Sequence, residues 1–350
     1  MNFSSDNAYG AAPEILAALT AANEGTARSY GEDPLTKRLT ERFSGIFERE
    51  VWAFPVVTGT ASNSLALATL CPPHGAIFCH EESHIATDEC GAPEFFSHGA
   101  KLVTVTGADA DADAKFTPAA IEAQLPNFQR GVHSPKPSAI SITQASERGT
   151  VYHAEEISAI AACAKKHGMK LHMDGARFAN ALAHLKCKPA DITWRAGVDA
   201  MSFGASKNGA LAAEAVVFFN KDDVRDFEYR RKKAGHLVSK MRFISAQFEA
   251  YLADDLWLNL ARRANALAAK LGDGLARIPG AEIANAVEAN TIFARLPDAM
   301  IAHLRNAGAQ FYDWEPSSGG KTLVRLVTSF ATPEDDIARF LAAIKAYRPA

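Results

Sequence analysis

The chain has 350 residues, which is long enough to bury a sizeable core and suits one large domain plus a smaller one. Its composition of 48% hydrophobic and 22% charged residues is that of an ordinary soluble globular protein. The net charge of −3 gives no reason to expect a nucleic acid or an anionic membrane as a partner.

Five cysteines at irregular spacings fit a reducing compartment with free thiols. No Cys or His spacing resembles a zinc site, so we expect no structural metal. The polar residues 1–10 have neither the basic nor the apolar segment of a signal peptide, and the apolar runs are far too short for a membrane span. We therefore expect a cytoplasmic protein.

In chain order, the first predicted elements are two helices, 13–23 and 34–47. Each opens on a proline at an early helical position, where the missing N–H group is no loss. Asp33 precedes the second helix and is its expected N-cap.

From about residue 51 to residue 220, short apolar runs alternate with amphipathic stretches. Seven strands are predicted, at 51–57, 76–80, 101–105, 139–143, 170–173, 200–203 and 215–219. Helical patterns lie between several of them, at 61–70, 118–125, 155–167 and 177–185. This alternation predicts an α/β fold with a mainly parallel seven-stranded sheet covered by helices on both faces. The run 107–115 is typical of a polar loop.

The pattern changes after residue 220. Long helical patterns cover 222–247 and 255–276, and then come strands at 291–296 and 323–328 and a last helix from 333 to about 347. We expect a small α+β domain here. The predicted division places the N-terminal helices and the large domain in residues 1–250, and the small domain in residues 251–350.

Two strand ends carry the most informative residues of the chain. Asp174 ends the apolar run 170–173, and Lys207 follows the run 198–203. A carboxylate and a lysine in these positions are what pyridoxal phosphate (PLP) requires, because the lysine holds the cofactor as a Schiff base and the carboxylate pairs with the pyridinium nitrogen. Either residue alone is more often structural.

Two nearby segments fit the same cofactor. Gly59 and Thr60 open a helix after a strand, where backbone N–H groups form a phosphate site; the alternative is a plain turn with Thr60 as the N-cap. His84 follows the strand 76–80, and a flat imidazole there can stack on a pyridine ring; the alternative is an exposed loop histidine. Glu89 is a candidate partner for that histidine.

Two arginines are candidates for binding a carboxylate. Arg177 lies three residues after Asp174, and Arg325 stands among apolar neighbours in the run 323–328, where a charge needs a partner. A guanidinium matches the carboxylate of an amino acid in a bidentate way. The alternative for Arg325 is a structural salt bridge.

Six motifs along the chain resemble those of the low-specificity L-threonine aldolases, in the same order: SSDN at 4–7, SYGEDP at 29–34, TGTASN at 58–63, HMDGAR at 172–177, SKNG at 206–209 and LVRLVT at 323–328. The resemblance implies the fold type I architecture of PLP-dependent enzymes, with a large domain and a small C-terminal domain. It also implies a homo-oligomer, most often a tetramer built as a pair of dimers.

The resemblance implies roles for single residues. Gly59 and Thr60 match the family's phosphate-binding pair, His84 its stacking histidine, and Ser206 and Lys207 its cofactor-binding motif. Ser5, Arg177 and Arg325 match the residues around the substrate carboxylate, with Arg177 also near the ring hydroxyl. In the basic run 230–242, Arg242 is the nearest match to a residue that reaches the cofactor phosphate of a neighbouring subunit; the alternative is a solvated helix face.

One departure from the family leaves the catalytic base open. Many relatives read ENTH where this chain reads QASE at 144–147, so Glu147 takes the place of a histidine near the substrate hydroxyl. His133 is a possible substitute, and so is His84 or a water molecule that it holds.

The predicted activity is therefore the retro-aldol cleavage of L-threonine, L-allo-threonine and related β-hydroxy-α-amino acids to glycine and an aldehyde. Another fold type I activity, transamination or β-elimination, uses the same lysine and aspartate and is the main alternative. A PLP-binding protein without turnover is a further alternative, although no segment resembles an added DNA-binding helix pair.

Overall fold

The computed structural model describes residues 1–106 and 113–348. The polar loop predicted over 107–115 therefore lies mostly outside the described residues.

In the described part of the chain, seven strands form the large sheet in the order β1-β7-β6-β5-β4-β2-β3. Strands β2 to β6 pair in parallel, whereas β7 pairs antiparallel with both β1 and β6. The predicted mainly parallel seven-stranded sheet is confirmed. The strands are β1 (Trp52–Val56), β2 (Gly75–His80), β3 (Lys101–Val105), β4 (Lys136–Thr143), β5 (Lys170–Gly175), β6 (Ala200–Gly204) and β7 (Glu214–Phe218).

Helices cover this sheet and the second sheet described below. They are α1 (Pro13–Ala22), α2 (Pro34–Ile46), α3 (Gly59–Leu70), α4 (His84–Thr87), α5 (Ala92–Phe96), α6 (Pro118–Gln124), α7 (Ala154–Lys166), α8 (Phe178–Leu185), α9 (Phe227–Lys233), α10 (Arg242–Tyr251), α11 (Leu256–Leu275), α12 (Asp298–Asn306) and α13 (Glu334–Ala346). Asp33 caps α2 as predicted, since its side chain accepts a hydrogen bond from the Thr36 amide at 2.9 Å.

Alternation along the central strands divides their side chains between two buried faces. In β7, Val216 and Phe218 pack with Leu65 of α3 on one face. Val217 belongs to the larger core on the opposite face, together with residues of α2, α7, α8 and α10. Both faces of the sheet are therefore covered, which is why the strands are apolar along their whole length.

A second, antiparallel sheet lies in the C-terminal part, with the order β10-β11-β9-β8 among the described residues. Its strands are β8 (Glu282–Ile283), β9 (Thr291–Pro297), β10 (Tyr312–Asp313) and β11 (Lys321–Val327). It has its own hydrophobic core, which also takes in Phe3 from the N-terminus. The long helix α11 joins the two parts, because Trp257 belongs to the larger core and Leu271 to the smaller one.

The single helix predicted over 222–247 is wrong. The chain instead forms a short 3-10 turn, then α9, and then α10 after a break. Gly235, at φ 79°, follows the end of α9 in the left-handed region and ends the helical repeat there.

The parallel strands end at one edge of the large sheet, and this edge carries the two residues, Asp174 and Lys207, that were predicted to hold a cofactor. Asp174 of β5 stands opposite Ser202 of β6. Three residues beyond β6, Lys207 lies in a 3-10 turn. Among the described helices, none is both long enough and apolar enough to cross a membrane.

The close approach of two backbone segments behind this edge gives the first prediction. A Cβ atom at Gly204 would lie 2.7 Å from the Cα of Ala176, and backbone cannot move aside as a flexible side chain can. We expect Gly204→Ala to lower the free energy of unfolding by about 2 to 3 kcal/mol, measured as a shift of the urea midpoint at fixed protein concentration.

The matched control is Gly45→Ala in α2, where a Cβ would meet nothing within 4 Å. Because alanine favours a helix over glycine, this change should be neutral or stabilise by up to about 1 kcal/mol. Equal effects of the two substitutions would contradict the role given to Gly204.

Candidate active site

A cavity of about 420 Å³ opens at the carboxyl edge of the large sheet. Its wall combines the ends of β5 and β6, the start of α3, and the start of α4 at His84. Seven of the predicted site residues line it: Gly59, Thr60, His84, Asp174, Arg177, Ser206 and Lys207.

The start of α3 forms one end of the cavity. The N-cap is Thr58 rather than Thr60, since its hydroxyl oxygen accepts a hydrogen bond from the Ala61 amide at 3.2 Å. Gly59 and Thr60 are the first two helical residues, so their N–H groups have no partner within the helix. These two amides and the positive end of the helix dipole suit a phosphate group.

Lys207 lies on the wall of the cavity in the turn after β6. This turn is held by its neighbour Asn208, whose side-chain amide donates to the Tyr251 hydroxyl at 2.7 Å and to the Trp257 carbonyl at 2.8 Å. Lys207 forms no salt bridge with any residue that the structure describes. An amine that is positioned by its turn and not held by a carboxylate is available for covalent chemistry.

Asp174 is buried, and both of its carboxylate oxygens are held. The side-chain amide of Asn63 donates to Oδ2 at 2.8 Å, and the backbone amide of Ala176 donates to Oδ1 at 2.9 Å. Asn63 was not predicted as a site residue, although it ends the TGTASN motif. Because it sits one turn into α3, it connects the phosphate end of the cavity with the carboxylate at the sheet edge.

The same Asn63 amide also donates to Glu89 at 2.8 Å, and Glu89 in turn contacts Nδ1 of His84 at 2.8 Å. The hydrogen bond that the Glu89 carboxylate accepts from the ring raises the pKa of His84 above its ordinary value, against the opposing effect of burial. The predicted pairing of Glu89 with the histidine is thus present, and it fixes one nitrogen of the imidazole.

Arg177 is already paired in this structure. Its Nε and Nη2 donate to the two carboxylate oxygens of Asp6 at 2.8 and 3.1 Å, and Asn290 of the C-terminal part donates to Asp6 at 3.1 Å. Asp6 escaped the sequence analysis as a site residue, although it belongs to the SSDN motif. The pair ties the N-terminal segment to the loop after β5.

Arg325 of β11 does not line the cavity, but its charge acts on two residues of the cavity wall, Arg177 and Glu147. Its guanidinium stands over the rings of Trp314 and Tyr312, 5.0 and 5.9 Å from their centroids, and its buried Nε has no hydrogen bond among the described residues. Burial lowers the pKa of Arg325, and the positive charge of Arg177 lowers it further. The alternative of a structural salt bridge is not seen among the described residues, and a guanidinium whose buried Nε has no hydrogen-bond partner is suited to an anion.

Ser5 and Arg242, like Arg325, do not line the cavity of this chain. The side chain of Ser5 caps the short turn that follows it, where its oxygen accepts from the Asn7 amide at 3.1 Å, and Asn7 lines the cavity instead. Arg242 starts α10 and reaches the carbonyl of Gly25 at 3.5 Å. Its role toward a neighbouring subunit stays a prediction.

The basic run 230–242 is not a uniform solvated face, because Arg231 is buried over the ring of Phe54.

Three glutamates also line the cavity, namely Glu89, Glu147 and Glu214. Glu147 lies in the QASE segment, and one of its oxygens accepts a hydrogen bond from the His84 amide at 3.0 Å. His133, the possible substitute, lies in a 3-10 turn on the surface and does not line the cavity. Glu214 starts β7, and burial raises its pKa to about 7. In the sequence, Glu214 could have been noticed as the single charged residue of the apolar run 212–219.

Comparisons with known proteins agree with this geometry. Residues 2–299 match the beta-eliminating lyase family. The chain is 44% identical to the low specificity L-threonine aldolase of a Pseudomonas species over 98% of this chain and 97% of that protein, and 46% identical to the one of Pseudomonas aeruginosa over 91% of each. The chain belongs to the low-specificity L-threonine aldolase family. The structure of Leishmania major threonine aldolase matches with a TM-score of 0.92 at 31% identity, over 98% of both chains.

Family membership confirms the fold type I architecture and implies PLP as the cofactor. The cavity fits this group in its chemistry. It has unpaired backbone amides at a helix start, a carboxylate held in a fixed orientation, a flat imidazole and a lysine amine without a salt bridge.

The buried Asp6–Arg177 pair gives a prediction with a defined pH dependence. Burial is the largest single influence and would raise the pKa of Asp6, but the charges of Arg177 and Lys207 and the hydrogen bonds from Arg177 and Asn290 together hold this pKa below its usual value. We expect Asp6→Asn to lower the free energy of unfolding at pH 7 by about 2 to 4 kcal/mol, because Arg177 is left buried without a charged partner.

The stabilisation by a carboxylate with a lowered pKa is complete above its unfolded pKa and is lost as the pH falls through its folded pKa. Urea unfolding of both proteins from pH 7 down to pH 3 should therefore show a difference that shrinks below about pH 4. Asp273→Asn, at an exposed position on α11, is the control and should change little. A difference that does not depend on pH would contradict the charge argument.

Proposed function

We propose that this chain is a low-specificity L-threonine aldolase, which cleaves the Cα–Cβ bond of L-threonine, L-allo-threonine and related β-hydroxy-α-amino acids. The products are glycine and an aldehyde. One observation in particular supports this activity: the cavity wall carries a lysine without a salt bridge, and the charge of Arg325, whose buried Nε has no hydrogen bond among the described residues, acts on Arg177 and Glu147 of the same wall. The lysine suits a covalently held PLP, and the arginine suits the carboxylate of an amino acid.

PLP, when bound, supplies an electron sink for the negative charge that develops at the substrate Cα. In our proposal, Lys207 holds the cofactor covalently, and Gly59, Thr60 and Ser206 bind its phosphate. Asp174 faces the pyridine nitrogen and keeps it protonated, because an adjacent carboxylate raises the pKa of that nitrogen. His84 lies against the ring face.

The substrate carboxylate is assigned to Arg325, with support from Arg177 and Ser5. Arg325 can offer a fork of N–H donors, whereas Arg177 already gives two of its donors to Asp6. Arg177 can therefore contribute its remaining nitrogen and its charge. An anchored carboxylate fixes the orientation of the Cα–Cβ bond, which decides which bond breaks.

A direct assay tests this function. We would incubate the PLP-loaded protein with L-allo-threonine and with L-threonine, and measure glycine and acetaldehyde. Since the family model is named for β-eliminating lyases, 2-keto acid and ammonia are measured in the same samples, with L-serine as a further substrate. Lys207→Ala is the inactive control. Keto acid and ammonia in place of glycine would overturn the aldolase assignment in favour of β-elimination, and keto acid without ammonia would favour transamination.

The role of Arg325 is tested by Arg325→Lys, which keeps the charge but loses the bidentate fork. We expect kcat/KM for L-allo-threonine to fall by about 10- to 100-fold, while the affinity for PLP holds. Arg277→Lys, at an exposed position, is the matched control and should match wild type. Loss of PLP from a folded Arg325→Lys protein, or unchanged kinetics, would contradict the assignment.

We also propose a homotetramer built as a pair of dimers, with Arg242 directed at the cofactor phosphate of a neighbouring subunit. Leu211 supports a subunit contact at this place, because it lines the cavity and yet is 62% exposed in the single chain. The division into residues 1–250 and 251–350 and the cytoplasmic location stay predictions.

Light scattering should give four times the mass of one 37.5 kDa chain. Arg242→Ala should weaken PLP binding by about 10-fold without dissociating the tetramer, since one charge-assisted contact is lost. A fully active monomer would contradict the assembly, and unchanged PLP affinity would contradict the role of Arg242.

A further inference from the structure

Retro-aldol cleavage needs a group that accepts the proton of the substrate β-hydroxyl. This inference rests on the proposed function. It concerns which residue of the cavity accepts the proton of the β-hydroxyl. His84 is already assigned to the ring face of the cofactor, and its Nδ1 is held by Glu89 at 2.8 Å, so that only its Nε2 could serve.

Two of the carboxylates at the site are fully engaged. Both oxygens of Asp174 accept hydrogen bonds, from Asn63 and from the Ala176 amide. Both oxygens of Asp6 accept bonds from Arg177, and one also accepts from Asn290. The second oxygen of Glu89 is buried and has no hydrogen-bond partner among the described residues. It is therefore not open to the cavity.

Glu214 is ruled out by its position rather than by its bonds. Its carboxyl group lies next to Ser206, whose hydrogen bonds act on it, at the lysine turn. It stands opposite Gly204 of β6 and Val56 of β1, and Val56 leads directly to the start of α3. It therefore belongs to the phosphate end of the cavity.

Glu147 differs from all of these. Its side chain lines the cavity, and one oxygen is fixed by the His84 amide at 3.0 Å. The second oxygen has no hydrogen bond to any described residue, and it is not among the buried polar atoms without a partner. The carboxylate is thus oriented by one contact and leaves one oxygen for a ligand.

The charges around Glu147 also place it near the reacting part of a substrate. Lys207, His84 and Arg177 act on it as cations, and Asp174 acts on it as an anion. Arg325, to which we assign the substrate carboxylate, is within range of its charge as well. Glu147 therefore lies within electrostatic reach of both the lysine that holds the cofactor and the arginine that holds the carboxylate.

We propose that Glu147 is a catalytic residue that accepts the proton of the substrate β-hydroxyl through its unbonded oxygen. As the O–H bond breaks, its electron pair forms the C=O bond of the aldehyde, and the Cα–Cβ bond breaks with its electron pair left on the Cα side. A proton delivered to Cα then gives glycine. The proton lost from oxygen equals the proton gained at carbon, so no co-reactant is consumed.

The environment of Glu147 makes it a better base than a carboxylate in water. Burial raises its pKa above the ordinary value, and the nearby Asp174 raises it further, while Lys207, His84 and Arg177 lower it. A carboxylate with a raised pKa takes a proton more readily than a free carboxylate does.

The test separates cleavage from a reaction that uses the same cofactor without a β-hydroxyl. Glu147→Gln keeps an oxygen that can accept from the His84 amide but removes the basic oxygen. We expect kcat for L-allo-threonine cleavage to fall by at least about 100-fold. Exchange of the glycine α-proton with solvent deuterium, followed by NMR, should stay within about threefold of wild type, as should glycine binding followed by cofactor absorbance.

Two further variants sharpen the comparison. Glu155→Gln, the same substitution at an exposed position on α7, should match wild type in both reactions. Glu147→Asp restores a carboxylate and should recover part of the lost cleavage rate. In wild type, kcat/KM for cleavage should rise with pH as Glu147 loses its proton, and this acidic limb should be absent from Glu147→Gln and present in Glu147→Asp.

The outcomes are distinct. If cleavage and glycine exchange fall together, Glu147 positions the cofactor and is not the base; if cleavage is unimpaired, it has no role in the reaction. Either result overturns this inference and leaves the proposed function standing. A wild-type protein that exchanges glycine but cleaves no β-hydroxy amino acid would overturn the proposed function as well. Should Glu147→Gln not fold, a loss confined to cleavage in Glu147→Asp supports the inference, and an equal loss in both reactions overturns it.

Discussion

The pairing of β5 with β6 is the constraint on which the site depends. It places Asp174 opposite Ser202 and brings the lysine turn to the same edge of the sheet, where the backbone of Gly204 meets that of Ala176 without room for a side chain. Both strands are buried on both faces, so a shift in their register would expose apolar side chains and is strongly disfavoured. The relative position of the carboxylate and the lysine is therefore set by the core and not by the loops that carry them.

A chain of polar contacts then joins the parts of the cavity. Asn63, one turn into α3, bridges Asp174 and Glu89, and Glu89 holds His84. The backbone amide of His84 in turn orients Glu147. Removal of one member would leave buried polar groups unpaired, which costs more than the bond itself contributes. The network thus keeps the groups around the cofactor site in fixed orientations before any ligand binds.

The N-terminal segment and the C-terminal part close the site from the other side. Phe3 packs into the smaller core, while Asp6, three residues later, pairs with Arg177 of the large sheet and accepts from Asn290. The buried ion pair orients Arg177, and the aromatic rings beside Arg325 hold the second guanidinium. Two arginines of like charge are kept close together in this way, and a substrate carboxylate would relieve their repulsion.

The sequence by itself determined the alternation of strands and helices, the Asp174–Lys207 signature and the family, because these depend on local periodicity and on residues in fixed order. It misjudged the region 222–247, where a basic helical pattern hides the break at Gly235. Only the tertiary structure decided that Asp6 forms an ion pair with Arg177 and that the buried Nε of Arg325 has no hydrogen bond among the described residues. It also decided that one oxygen of Glu147 accepts no hydrogen bond from them. Asp6 and Arg177 are 171 positions apart in the chain, and whether a buried polar atom is paired depends on side chains that local pattern cannot place.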